Sequence, residues 1–343
     1  MTEQPTKDSL KLSVLDLATI YDRKSATEAL QDSTELVQLA DQLGYTRYWF
    51  AEHHNTKYQI STSPELLSAH AAALTENIRI GSGGVMLPNH SPLKVVENFS
   101  LLEALHPGRI DLGMGRAPGT DGLTALALRR SREALQANDV MEQLHELMAY
   151  FTRDFPEDHP FAKITPSPDP SLQPDMFMLG SSDGGMKIAA QYGLGFAFAG
   201  QINPQWAVPM LRRYRERFQP SVFSEKPYSI LSLIVICADT DEEAAYYAGP
   251  AELQWARWGT GQFHFAPPTL DEASSHTYTD AEEAARQEGS GRFVIGSVDS
   301  VKEQLEKLAT DAQVDEIMIL NMITDQKARH HSYSLLAEAF HLS

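Results

Sequence analysis

Glu52, His53 and His54 stand together in "RYWFAEHHN" (47–55), directly after three aromatic residues. A carboxylate beside two imidazoles can move protons near neutral pH, because an imidazole titrates around 6.5. The same residues could hold a metal, or simply mark where a strand surfaces. The metal reading needs further ligands. Adjacent residues on a strand face opposite ways, so one ion could not easily take both imidazoles. His90, His106 and His264 are available but lack ligand spacing. No metal is expected, and one of the pair is better read as an acid–base group.

Three other clusters carry possible chemistry. "GSGG" (81–84) sets Gly83 and Gly84 within an apolar run, where glycine weakens a strand. Close approach of backbone to a ligand would explain them, and so would a plain turn. Arg116 lies in "GMGRAPG" (113–119), whose glycines do not give G-x-G-x-x-G and open no helix. A bidentate phosphate ligand is the better reading of Arg116, with a structural ion pair as the alternative. Ser181 and Ser182 in "LGSSDGG" (179–185) offer hydroxyls and free N–H groups at a helix start. They suit an anion site or an ordinary N-cap. Arg116 and Ser181 together imply a phosphorylated ligand.

What could bring these clusters to one place? Short apolar runs at 11–18, 45–52, 78–87, 109–115, 175–182, 196–202, 228–239 and 314–323 alternate with helical patterns. In 25–44 the positions Ala29, Leu36, Ala40 and Leu43 share a face, Ser25 and Glu28 form a capping box, and Gly44 is a stop. Nearly continuous apolar runs suit parallel strands buried on both faces. Eight such units predict an α/β fold of the (β/α)8 TIM-barrel type, ahead of an open doubly wound sheet with an appended domain. The chain reads as a single domain, 1–343, with insertions after strand 4 and between strands 7 and 8. The second insertion, 251–292, has little strand character and is suited to a lid. In such a barrel, residues at the C-terminal ends of the strands face one mouth. His53, Gly83, Gly84, Arg116, Ser181 and Ser182 all fall at such ends.

Composition excludes other classes. Across 343 residues, 42% are hydrophobic and 22% charged, enough for a sizeable core. A formal charge of −18 opposes nucleic acid and anionic lipid. Cys237, the one cysteine, sits in "ILSLIVICAD" and reads as a small buried hydrophobe. "MTEQPTKDSLK" is not a signal peptide, and no apolar run nears the ~20 residues that span a bilayer. A cytoplasmic protein is expected.

The order "YWFAEHHN", "IRIGSGGVMLPNHSPLKVVENFSLLEALHPGRIDLGMGRAPGTD", "LGSSDGGMKIAAQYGLGFAFA" and "VIGSVDSVKEQL" resembles the bacterial luciferase-like flavin-dependent monooxygenases. "GRAPGTDGLTALALRR" is similar to their single-chain, mostly uncharacterised branch. The resemblance covers about 11–340. It implies a TIM barrel that uses reduced FMN (FMNH2) and O2 on a small organic substrate. A separate NAD(P)H:flavin reductase would supply the cofactor, and a homodimer is ordinary for the family. It makes His53 catalytic and Arg116 a phosphate ligand. The family's acid–serine pair falls on Gly180 and Ser181, so the acid is missing, and Gly115 replaces the luciferase cysteine. Light emission is therefore not expected. A nonprolyl cis peptide maps to Gly83–Gly84. The resemblance leaves two alternatives: hydride transfer with the deazaflavin F420, or flavin binding without catalysis.

Overall fold

The computed structural model describes residues 10–137, 139–170, 173–263 and 265–342. Its strands are β1 (Lys11–Asp16), β2 (Arg47–Phe50), β3 (Arg79–Met86), β4 (Ile110–Gly115), β5 (Asp175–Gly180), β6 (Gly195–Ala199), β7 (Ser229–Ala238), β8 (Phe293–Ser297) and β9 (Glu316–Leu320). All pairings are parallel, and they run β1 to β7 in sequence, then β9, then back to β1. The expected eight-stranded closed (β/α)8 barrel is therefore present. β8 stands outside the ring and extends the C-terminal half of β7, pairing Ile234–Ala238 with Phe293–Ser297. It escapes the sequence reading because its burial alternates along five residues, the mark of a strand covered on one face only.

Helices fill the crossovers. The first half carries α1 (Ala26–Gln42), α2 (Pro64–Ala73), α3 (Pro92–Leu105), α4 (Gly122–Arg129), α5 (Arg132–Gln136) and α6 (Val140–Thr152). The second half carries α7 (Asp183–Tyr192), α8 (Ala207–Arg217), α9 (Asp241–Gly259), α10 (Leu270–Ser275), α11 (Asp280–Gly289), α12 (Val298–Ala312) and α13 (Gln326–Phe340). The α1 start follows its sequence: Ser25 Oγ accepts from the Glu28 N–H, and the Glu28 carboxylate accepts from the Ser25 N–H at 2.8 Å. Gly44 takes φ +79° just past the helix, where a Cβ would be disfavoured. The segment 251–292 is not structureless: it holds the end of α9 together with α10 and α11, each short helix opened by a Thr–Glu capping box.

Strand alternation sorts residues into two cores. Tyr48 and Phe50 of β2 point outward, with Leu12, Val14, Phe99 and Leu336, into the layer between strands and helices. Trp49 and Ala51 point inward, with Leu15, Phe177, Ala197, Ile230 and Met318, and close the barrel's middle. Below them lies a buried charged layer. Arg47 bonds Asp111 through Nη1 at 2.8 Å and Glu316 through Nε at 2.9 Å. Asp111 also accepts from Trp49 Nε1 at 2.8 Å and from Arg79. Glu316 also accepts from Tyr228 at 2.6 Å and from Ser13. This layer fills the N-terminal end, and the large cavity lies at the other. Cys237 is buried as expected, and burial pushes its thiol up to about 12.

Candidate functional site

The segment after β2 places Glu52 inside and divides the two histidines. Glu52 is wholly buried and gathers four donors. Its Oε1 accepts from His54 Nε2 at 2.8 Å and Asn89 Nδ2 at 3.2 Å. Its Oε2 accepts from the Met86 N–H at 2.8 Å, and His90 Nε2 lies 2.9 Å from both oxygens. Burial alone would raise the Glu52 pKa, but the His90 and His54 partners and the Met86 N–H hold it below the usual carboxylate range. Burial works against charge on His90 too, yet Glu52 lifts its pKa above 6.5. Glu52 thus ties the end of β2 to the end of β3.

His53 faces the other way. Its backbone N–H donates to the Ser61 carbonyl at 2.9 Å, while its ring borders the cavity at the strand C-termini. Its Nδ1 is buried with no partner. Burial pushes the imidazole below 6.5, opposed by Glu52 and aided by His54, so it is neutral at pH 7. A neutral imidazole with an unused ring nitrogen can accept or relay a proton. The two histidines do face opposite ways here, although both lie beyond the end of β2 at Phe50. Among the described residues no group of His, Cys, Asp or Glu could hold a metal ion. His264, one of the further histidines considered above, lies outside those residues.

The cavity measures about 880 Å³. That lies near the top of the roughly 300–1,000 Å³ common for ligand sites, with room for a cofactor and a substrate together. Trp49, Leu15 and Met318 form its floor with Gly83. The glycines divide in role. A Cβ on Gly83 would sit 2.8 Å from Leu15 Cδ1, whereas one on Gly84 would sit 2.6 Å from the Gly113 carbonyl oxygen. Gly83 borders the cavity; Gly84 does not, and its small size lets β3 approach β4. The Gly83–Gly84 peptide bond is cis.

Arg116, Ser181 and Ser182 meet at the same cavity. Arg116 follows β4, is exposed, and lies over the first turn of α7: a Cβ on Gly184 would be 2.5 Å from its Nη2. Ser182 is the N-cap of α7, and its side chain makes no capping bond. Hydroxyl, guanidinium and first-turn N–H groups therefore share one corner. The nearby Asp183 carboxylate is occupied by Lys187 at 2.6 Å, which depresses its pKa, with a smaller effect from Arg116. So His53, Gly83, Arg116, Ser181 and Ser182 border one cavity, and Gly84 stands behind it.

Sequence reading missed the rest of the wall. Gln201, Ser232, Gln254 and Thr324 are buried, line the cavity, and each has a side-chain oxygen without a partner. Trp255 Nε1 is in the same condition. Only Ser232 had a visible signal, a hydroxyl inside the apolar run "ILSLIV". In a chain of charge −18, no Asp or Glu is among the described lining residues.

Residues 10–316 match the model of the luciferase-like monooxygenases. The chain belongs to that family. Among its relatives, Bacillus subtilis (strain 168) YceB is 42% identical over 331 residues, covering 96% of this chain and 99% of that protein. The crystal structure of apo-MsnO8 superposes with a TM-score of 0.88 at 38% identity, covering 98% of each chain. The FMN complex of the oxygenating constituent of 3,6-diketocamphane monooxygenase from Pseudomonas putida shares the fold. Its TM-score is 0.72 at 19% identity, covering 96% of this chain and 97% of that one. Among its described residues the chain has no helix long and apolar enough to cross a membrane.

Proposed function

We propose that this cavity binds reduced FMN and a small organic substrate together, and that the protein is an O2-dependent monooxygenase. The observation that carries the reading is one cavity with no carboxylate among its described lining residues, a corner of donors at Arg116 and an unpartnered His53 nitrogen. Reduced FMN would supply the two electrons needed to activate O2. The chain's residues fit such a group. The guanidinium of Arg116, the hydroxyls of Ser181 and Ser182 and the α7 N-terminus offer donors to a phosphate dianion. Gly83, with no side chain, leaves backbone open to a flat ring.

His53 would accept or relay a proton at its unpartnered Nδ1, and Glu52 positions it by locking the neighbouring His54 and His90. The apolar wall from α9 and the residues after it keeps water from the reacting atoms. The reductant would come from a separate NAD(P)H:flavin reductase. Anaerobic titration with reduced FMN and reduced riboflavin tests the corner. Arg116→Ala should weaken FMN by roughly tenfold or more, the worth of a charge-assisted contact, and leave riboflavin unchanged. Equal losses for both would overturn the assignment. Turnover that persists without O2 would instead favour hydride transfer with F420, and tight flavin binding with no turnover would favour a binding protein.

A further inference from the structure

If the corner at Arg116 takes the cofactor phosphate, the wall formed by Gln201, α9 and the residues after α9 is left for the substrate, and its chemistry is specific. Trp255 and Trp258 of α9 meet edge to face, with ring centroids 5.0 Å apart. Phe263 and Phe265 continue the wall toward solvent, 72% and 41% exposed. The Arg292 guanidinium lies 4.1 Å over the Trp255 ring, and its Nη1 donates to the Gln201 carbonyl at 2.8 Å. Arg292 thereby holds Trp255 and Gln201 in place.

Their polar atoms, however, are unused. Trp255 Nε1, Gln201 Oε1 and Gln254 Oε1 are buried without partners. Gln201 and Gln254 are 9% and 4% exposed. An indole N–H can only donate, and an amide oxygen can only accept. Buried groups of this kind are costly unless something bonds them. Of the two cations at the lining, Arg116 is taken by the cofactor phosphate in this reading and the Lys57 ammonium sits 5.2 Å from the Tyr58 ring centroid, and among the described lining residues no carboxylate is there to receive an amine.

We propose that this wall binds an uncharged aromatic substrate bearing a hydroxyl or keto oxygen for the Trp255 N–H and a hydroxyl or N–H proton for Gln201 or Gln254. The inference rests on the flavin reading for which part of the cavity remains free. Four probes test it by calorimetry on the protein saturated anaerobically with reduced FMN: naphthalene, 2-naphthol, 2-naphthoate and 2-naphthylmethylamine. 2-Naphthol should bind roughly tenfold tighter than naphthalene, the worth of satisfying one buried polar group. The carboxylate and the ammonium should bind most weakly.

Trp255→Phe keeps the ring and removes the N–H. It should abolish the advantage of 2-naphthol, leaving the affinities for naphthalene and reduced FMN unchanged. Tightest binding of naphthoate or the amine, or an unchanged naphthol advantage in the variant, would overturn the proposal. So would a loss of FMN affinity in Trp255→Phe, which would assign the N–H to the cofactor. The flavin reading fails separately: reduced FMN would then not bind, whatever the probes do.

Discussion

The two ends of the barrel treat buried polarity in opposite ways. At the N-terminal end, Arg47, Asp111 and Glu316 are buried, and each charge meets two or more partners. At the C-terminal end, His53, Gln201, Ser232, Gln254 and Thr324 each keep an unpartnered buried atom. The charged layer lies on β2, β4 and β9, whereas of the five open-end residues Ser232 is on β7, Gln254 is on α9 and the others follow strand ends. A charge in a closed interior must be paired within the protein or the fold loses stability. A neutral polar atom beside a cavity can wait for a ligand at a smaller cost. The lower layer therefore serves folding, and the proposed function gives the upper one to recognition.

The largest effect should come from breaking the satisfied end. Arg47→Ala strands two buried carboxylates and should cost about 3–5 kcal/mol in chemical denaturation. A loss under about 1 kcal/mol would erase the contrast. At the open end, His53→Ala should lower product formation by roughly 100-fold or more. Its melting temperature should stay close to that of the parent protein. Because the His53 pKa is depressed, the parent's activity should fall only as pH drops below 6.5. A limb centred above 6.5 would contradict the buried, neutral imidazole.

The Glu52 cluster lies between the two ends and gives a pH signature of its own. His90 has a raised pKa, so the stability from its charged form is full below 6.5 and is lost as pH rises through the folded value. The lowered pKa of Glu52 works oppositely: its contribution is present above 4.5 and lost as pH falls through the folded value. His90→Gln should therefore destabilise by about 1–2 kcal/mol near pH 6, and the difference should shrink toward pH 9. A constant difference across that range would show that charge is not involved. The smallest effect, with the opposite sign, belongs to Thr324→Val. Removing an unpartnered hydroxyl without changing shape should raise stability by about 0.5–1 kcal/mol, read from the denaturation midpoint. A loss instead would mean that the hydroxyl has an unseen partner.

Much of this was legible in the sequence. The apolar runs around 45–52 and 109–115 marked strands because burial on both faces demands apolar residues on both. Ser25 with Glu28 marked a helix start because capping is local. The helices in 251–292 were hidden because α10 spans a turn and a half and α11, though amphipathic, is polar overall. The aromatic wall went unread for a different reason. Trp255 and Trp258 lie on a long helix whose inward side meets both a core cluster and the cavity, and spacing alone cannot distinguish the two.

What the sequence determined by itself was the order of short apolar runs and helices, hence a closed parallel ring with His53, Arg116 and Ser181 beyond strand ends. Those features depend on neighbours a few residues away. Only the tertiary structure decided that Glu52 would bind His90, that Arg47 would join residues 64 and 269 positions distant, and that Trp255 would be left without an acceptor. Whether a buried polar atom is satisfied depends on pairs far apart in the chain, and no local pattern carries that information.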